Sequence, residues 1–178
     1  DLYFRQNPSG GGYAIAAGLE QVVEYLENLK FSEDDIAYLR SLNIFQEDFL
    51  EMLKDFRFQG DLDAVPEGTM VFPYEPLLRV KARIFEAQFI ETALLNLINF
   101  QTLIATKASR VVAAAGGDLV MEFGLRRAQG PDAGVLGARA AFIGGCQSTS
   151  NVLAGKRFGI PVAGTQAHSW VQCFPSEL

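Results

Sequence analysis

The sequence predicts an α/β fold, and two patterns carry this prediction. Apolar residues at helical spacing dominate residues 19–56 and 86–115, and two short strand-like stretches bounded by prolines lie between them. After residue 117, short apolar stretches alternate with helical ones, which is the order of a parallel sheet or barrel covered by helices. We therefore expect two modules, residues 1–115 and residues 116–178, joined by a long helix.

The first module is predicted to contain three helices and two strands. The first helix follows the glycine turn at residues 10–12 and has its apolar residues at Leu19, Val22, Val23, Leu26 and Leu29. Ser32 precedes three acids and is typical of the N-cap of a second helix. The third helix is expected to hold Phe49, Leu50, Met52, Leu53 and Phe56. The stretches TMVFP (69–73) and PLLRVKARI (76–84) are predicted strands.

The long helix is predicted over residues 86–115, because Gly116 and Gly117 supply a C-terminal stop. Beyond it we expect DLVMEFGL (118–125) to form a strand and GARAAFIGG (137–145) to form a helix or loop. A further helix is expected in TSNVLAGKRFG (149–159), and a strand with its exit in IPVAGTQAHSW (160–170). In such a fold, ligands bind at the carboxyl ends of the strands.

Composition excludes several classes of protein. Fifteen Lys and Arg against 21 Asp and Glu give a net charge of −6, which disfavours binding to nucleic acids or anionic membranes. The polar residues within positions 85–115 indicate a core helix rather than a membrane span. Two widely spaced cysteines and a single His indicate neither a disulfide framework nor a zinc site. With no targeting segment recognised, we expect a cytoplasmic protein without a metal site in this chain.

Two polar clusters follow predicted strands and are candidates for chemistry, whereas the common phosphate-loop, dinucleotide and hydrolase motifs are absent from the sequence. In FGLRRAQGP (123–131), Arg126 or Arg127 could bind a carboxylate or phosphate, since a guanidinium presents two parallel donors and stays charged. Only one of them need do so, and a solvated charge pair is the alternative. In AGTQAHSW (163–170), His168 lies among hydroxyl residues and could act as a base or nucleophile, or serve a structural role.

These clusters resemble, in order and spacing, the nicotinate phosphoribosyltransferase family. The segments FGLRRAQGPDAG and STSNVLAGKRFGIPVAGTQAHSW match its central part, and FRQNPSGGGYAIAAGLE and EAQFIETALLNLINFQTLIATKASR match its upstream part. The resemblance implies a type II phosphoribosyltransferase fold, in which an α/β sandwich domain packs on an α/β barrel that is incomplete here. It also implies synthesis of nicotinate mononucleotide and pyrophosphate from nicotinate and phosphoribosyl pyrophosphate (PRPP) in NAD salvage, coupled to ATP hydrolysis with Mg²⁺.

The resemblance also implies roles for particular residues. His168 matches a histidine that ATP phosphorylates, Phe123 a ring that stacks on nicotinate, and Arg126 an arginine at the base and PRPP site. Thr165, with Ser169 in the same cluster, matches nicotinate-binding positions. Asn151 occupies a place where nicotinamide-using relatives carry an acid, and its lack of charge favours nicotinate. Arg5 resembles an arginine that reaches PRPP across the interface of a homodimer with shared active sites.

The matched region covers well under half of a family member. The acidic Mg²⁺ residues and the glycine-rich phosphate loops of the family would lie outside it, so we expect this stretch alone to be inactive. Two alternatives stay open at this stage. One is a phosphoribosyltransferase that uses nicotinamide or quinolinate, and the other is a non-catalytic protein that binds metabolites.

Overall fold

The computed structural model describes residues 1–176, which form six short strands and seven α-helices. The strands are β1 (Ala14–Ile15), β2 (Asp61–Ala64), β3 (Met70–Val71), β4 (Leu78–Lys81), β5 (Met121–Glu122) and β6 (Ser148–Thr149). The helices are α1 (Leu19–Asn28), α2 (Glu33–Ser41), α3 (Glu47–Lys54), α4 (Ile84–Ala114), α5 (Pro131–Ile143), α6 (Val152–Phe158) and α7 (His168–Val171). The predicted mixture of helices and strands is confirmed.

The first half of the chain contains two small antiparallel sheets, β1 with β3 and β2 with β4. The two predicted strands are present as β3 and β4, whereas β1 and β2 were not predicted from the sequence. The first predicted helix is confirmed as α1, with Leu19, Val22, Val23 and Leu26 inside it, but β1 lies between the glycine turn and its start. Helix α1 begins instead after Gly18, whose φ of 105° and close approach to the Leu97 carbonyl both favour glycine.

Helix α4 is the central element and packs against β1, α1 and α5. Its buried threonines complete the hydrogen bonding of the β1 segment. Thr106 Oγ1 accepts the N–H of Ile15 at 2.9 Å, and Thr102 Oγ1 accepts the N–H of Ala17 at 3.2 Å. A strand of two residues is stable here because side chains of α4 satisfy the backbone groups that a longer sheet would otherwise pair. The stop at Gly116 and Gly117 is confirmed, with φ values of 62° and 106°.

By length and composition, α4 is also the one helix in residues 1–176 that could cross a bilayer. Ile90, Leu94 and Ile98 on this helix are buried in the main apolar core, together with residues of β1, α1 and β4. The buried Gln101 donates to Gln21 of α1 at 2.9 Å. This packing is that of a core helix, which agrees with the expectation from sequence.

The last third of the described chain has parallel strand pairing. Strand β5 pairs in parallel with β6, and Thr149 forms a parallel bridge with Val162. The strand predicted over 118–125 is limited to two residues, and the one predicted over 160–170 is limited to this bridge. Helices α5 and α6 connect the three segments, so this part has the alternation expected of a barrel. The division into modules at residue 115 stays a prediction.

Candidate active site

The polar clusters follow three neighbouring parallel segments. Phe123 comes directly after β5, Asn151 lies two residues after Thr149 of β6, and Thr165 lies three residues after Val162. Because the carboxyl ends of parallel strands lie at the same edge of a sheet, these residues share one edge. We call this edge, with the loops of residues 123–130, 150–151 and 163–169, the β5–β6 edge. The topology therefore brings both sequence-predicted clusters to the same side of the molecule.

In the loop of residues 123–130, the two adjacent arginines lie in different surroundings. It contains a 3₁₀ turn at Leu125–Arg127 and ends at Gly130, where φ is 107°, before Pro131 starts α5. Both Arg126 and Arg127 are exposed, and neither has an ion-pair partner among residues 1–176. A cavity of about 380 Å³ lies between this loop, α4 and α5, and it is lined by Arg127 but not by Arg126. The two guanidinium groups therefore have different neighbours, which agrees with the expectation that only one of them need bind a ligand.

Asn151 is the buried member of the candidate site, with 4% of its surface exposed. Its Oδ1 accepts the N–H of Ala154 at 3.1 Å, which makes it the N-cap of α6. Its Nδ2 is buried and has no hydrogen-bond partner in the described part of the chain. The predicted substrate-binding residue thus has a structural task for its oxygen, and only the amide nitrogen is left to donate to a ligand.

His168, Thr165 and Ser169 are exposed on the loop that leads into α7. His168 is the first residue of that short helix, and its imidazole makes no hydrogen bond to any residue in the range 1–176. An exposed imidazole of this kind is accessible to a substrate from solvent, which nucleophilic chemistry requires. Phe123 is half-buried at the start of the neighbouring loop.

Arg5 does not join this edge. It follows Phe4, whose carbonyl accepts the N–H of Tyr74 at 2.8 Å, and it is exposed on the antiparallel sheets of the first half. In the described coordinates no hydrogen bond or ion pair links it to the β5–β6 edge. Its predicted role across a dimer interface stays a prediction.

Glu122, the last residue of β5, was missed by the sequence analysis. Its carboxylate accepts the hydroxyl of Thr149 at 2.7 Å and also the N–H of Gly124, so it joins the ends of β5 and β6. Burial, and then the Glu122 charge, raise the pKa of the nearby Cys146 thiol, which keeps that thiol neutral at neutral pH. The only sequence signal for this role of Glu122 was an acid at the end of a predicted strand with a glycine two residues later.

A buried ion-pair network centred on Arg139 of α5 was also not predicted from the sequence. Arg139 is 8% exposed and binds the Glu67 carboxylate at 2.6 Å, and it forms a second ion pair with Glu20. Glu67 also accepts the N–H groups of Gly18 and Leu19 at the start of α1. Burial favours a higher pKa for Glu67, but the hydrogen bonds from Arg139 and Gly18 outweigh it, and the pKa lies below its usual range. This network fixes α5, and hence the end of loop 123–130, against the first half of the chain.

The described residues do not fit a Mg²⁺ site. No group of three or more His, Cys, Asp or Glu side chains comes together within residues 1–176. The one acid at the β5–β6 edge, Glu122, already has its oxygens engaged by Thr149 and Gly124. Carboxylate oxygens are the ligands that Mg²⁺ prefers, and residues 1–176 bring together no cluster of them that could hold the ion without other ligands.

Comparison with known proteins identifies the family. The model of the nicotinate phosphoribosyltransferase (NAPRTase) N-terminal domain matches residues 1–99. The chain belongs to the nicotinate phosphoribosyltransferase family. Nicotinate phosphoribosyltransferases of Bacillus subtilis and Mycobacterium tuberculosis are 53% and 50% identical to it over 177 and 178 residues, which is 99% and 100% of this chain. These matches span 36% and 38% of the relatives, so the chain covers somewhat over a third of their length.

Solved structures confirm the fold class of this member of the nicotinate phosphoribosyltransferase family. Human nicotinic acid phosphoribosyltransferase matches it with a TM-score of 0.88 and 41% identity, over 97% of this chain and 35% of the human chain. A Pyrococcus furiosus protein described as nicotinate-nucleotide pyrophosphorylase matches with a TM-score of 0.77 and 28% identity, over 97% of this chain and 37% of its own. The resemblance drawn from the sequence motifs and the type II phosphoribosyltransferase fold are both confirmed.

Proposed function

We propose that the protein containing this chain transfers the phosphoribosyl group of PRPP to nicotinate, as an entry step of NAD salvage. The products are nicotinate mononucleotide and pyrophosphate, and the reaction is coupled to ATP hydrolysis. The observation that carries this proposal is the β5–β6 edge, where Phe123, Arg126, Asn151, Thr165 and His168 follow three neighbouring parallel segments in a chain of this family.

The chemistry needs binding and orientation more than a strong base. The pyridine nitrogen of nicotinate attacks the anomeric carbon of PRPP while the bond to pyrophosphate breaks, so the protein must hold a ring and two anions in line. In this proposal Phe123 stacks on the ring, and Arg126 binds anionic oxygens through its paired donors. The unpartnered Nδ2 of Asn151 and the hydroxyls of Thr165 and Ser169 supply uncharged donors for a carboxylate.

The remaining elements of the proposal concern assembly and location. Arg5 is proposed to complete the PRPP site of a second copy in a homodimer, and its exposed position away from the β5–β6 edge is compatible with that. We place the activity in the cytoplasm, since Cys146 and Cys173 are free thiols. Mg²⁺ is proposed to accompany ATP and PRPP and to be bound by residues other than those described here.

The test is an acceptor competition with the full product of the gene that encodes this chain. Pyrophosphate release from PRPP should depend on nicotinate, and neither nicotinamide nor quinolinate should replace it at equal concentration. Preferential use of either alternative acceptor would assign a different pyridine phosphoribosyltransferase. Binding of nicotinate without any release of pyrophosphate would leave the non-catalytic interpretation.

Replacing Arg126 by alanine should raise the KM for nicotinate by about 10- to 100-fold, because a charge-assisted hydrogen bond contributes about 1.5–3 kcal/mol. Any activity with neutral nicotinamide should change much less. Steady-state kinetics with both acceptors measures the difference, and Arg157→Ala, at an exposed arginine of α6, is the matched control. A larger loss in Arg127→Ala than in Arg126→Ala would move carboxylate binding to the arginine that lines the cavity.

A further inference from the structure

We propose that Glu122 is a positioning residue that holds the ring-binding loop of residues 123–130 to the end of β6. The inference rests on the proposed function, since the loop carries Phe123 and Arg126. Glu122 also lines the cavity between this loop, α4 and α5, but both of its carboxylate oxygens accept hydrogen bonds from the protein. Its task would be to keep the two loops that contact nicotinate at a fixed separation.

The first support is the contact of Glu122 with its own loop. Its Oε1 accepts the N–H of Gly124, immediately after Phe123. A Cβ at position 124 would lie 2.8 Å from that same oxygen, so any other residue there would force the carboxylate to move. The φ of Gly124 is −84°, which any residue can adopt. The glycine is therefore explained by the close approach of the carboxylate and not by backbone conformation.

The second support is the contact with the next strand. Thr149 is fully buried, and its hydroxyl donates to Oε2 of Glu122 at 2.7 Å. The same hydroxyl oxygen accepts the N–H of Asn151 at 3.0 Å, and Asn151 in turn caps α6. The Glu122 carbonyl also accepts the N–H of Ser150 at 3.0 Å. One side chain thus connects loop 123–130 with the loop that places Asn151.

The third support is that both carboxylate oxygens are engaged by protein donors. These two contacts hold the side chain of Glu122 in one orientation, with one oxygen on the N–H of Gly124 and the other on the hydroxyl of Thr149. Its contacts set the distance between Phe123 on one loop and Asn151 on the other. Rigid support of this kind determines how well a site matches its ligand.

The test uses three variants of the full gene product, with separate KM values for nicotinate and PRPP. Glu122→Leu removes both acceptors at similar size and should raise the KM for nicotinate at least tenfold. Gly124→Ala should give the same change, because its Cβ displaces the carboxylate while residue 122 is unaltered. Glu122→Gln keeps one acceptor for Gly124 and can donate to Thr149, so it should stay within about threefold of the natural protein.

The matched control is Asp118→Leu, which makes the same kind of replacement at the exposed amino end of the β5 segment and should leave both KM values unchanged. Equal loss of kcat in Glu122→Gln and Glu122→Leu would overturn the proposal in favour of acid–base chemistry. An unchanged KM for nicotinate in both Gly124→Ala and Glu122→Leu would also overturn it. Failure of the unaltered protein to use nicotinate would instead contradict the proposed function, so the two failures are distinguishable.

Discussion

Replacing Arg139 by methionine is expected to lower the free energy of unfolding by about 3–5 kcal/mol, the usual cost of removing one partner from a buried ion pair. Methionine fills much of the space but leaves the Glu67 carboxylate without its main partner, and the Glu67 side chain is only 19% exposed. Glu20 contributes little to this cost, since 59% of its side chain is exposed. Urea denaturation of the full gene product measures the effect.

The control is Arg40→Met, whose ion pair with Glu47 joins two exposed side chains and should contribute little to stability. The double variant Arg139→Met with Glu67→Gln should recover part of the loss, because the buried charge is then gone as well. If Arg139→Met were no more destabilising than Arg40→Met, the network would not contribute to stability.

The same pair predicts a pH dependence with a definite sign. The pKa of Glu67 is lower in the folded protein than its ordinary value, so its contribution is present above about pH 4.3, the reference for an unfolded glutamate. The contribution is lost as the pH falls through the lower, folded pKa. The difference in free energy of unfolding between the natural protein and Arg139→Met should therefore be largest near neutral pH. It should shrink as the pH falls below about 4.3.

Replacing His168 by alanine is expected to abolish transfer of the γ-phosphoryl group of ATP to the protein. In the proposed step an imidazole nitrogen forms a bond to the γ-phosphorus while the bond from phosphorus to the bridging oxygen breaks, and ADP leaves. The product is a phosphoramidate, which is labile to acid and stable to alkali. His168 is exposed, and its side chain has no hydrogen bond to the residues described, so it is free to react.

Incubation of the full gene product with γ-labelled ATP and Mg²⁺, followed by peptide mass spectrometry, measures this transfer. Gln172→Ala changes an exposed residue one turn further along and should keep the label. Label that survives in His168→Ala, or that resists acid, would contradict the assignment. Loss of the label should also uncouple nucleotide formation from ATP, which is measurable as the ratio of ADP to nicotinate mononucleotide formed.

Local signals in the sequence predicted the elements that local interactions determine. Ser32 caps α2 with a full capping box to Asp35, and the glycines at 116 and 117 end α4, as predicted. Strand β1 was missed because its stability depends on Thr102 and Thr106, which lie about ninety positions away along the chain. A pattern read within a window of a dozen residues contains no such information.

The candidate site shows the same division. The clusters around Arg126 and His168 were found because glycines and polar residues follow apolar stretches, and parallel pairing then places them at one edge. Glu122 and Arg139 were missed because each acts through distant partners, Thr149 in one case and Glu67 in the other. The N-cap role of Asn151 was available from sequence, since Asn directly precedes an apolar helical stretch.

The attachment of Arg139 to Glu67 has a consequence for biosynthesis. A ribosome releases Gly18, Leu19 and Glu67 well before residue 139 is made, so the nascent chain carries the Glu67 carboxylate without its guanidinium counterpart until translation has passed α5. The α-helical start at Leu19 therefore reaches its final anchorage only at that stage. Ile15 and Ala17 also pack against Ala140 of α5, so vectorial synthesis postpones the maturation of the amino-terminal portion until α5 has been made.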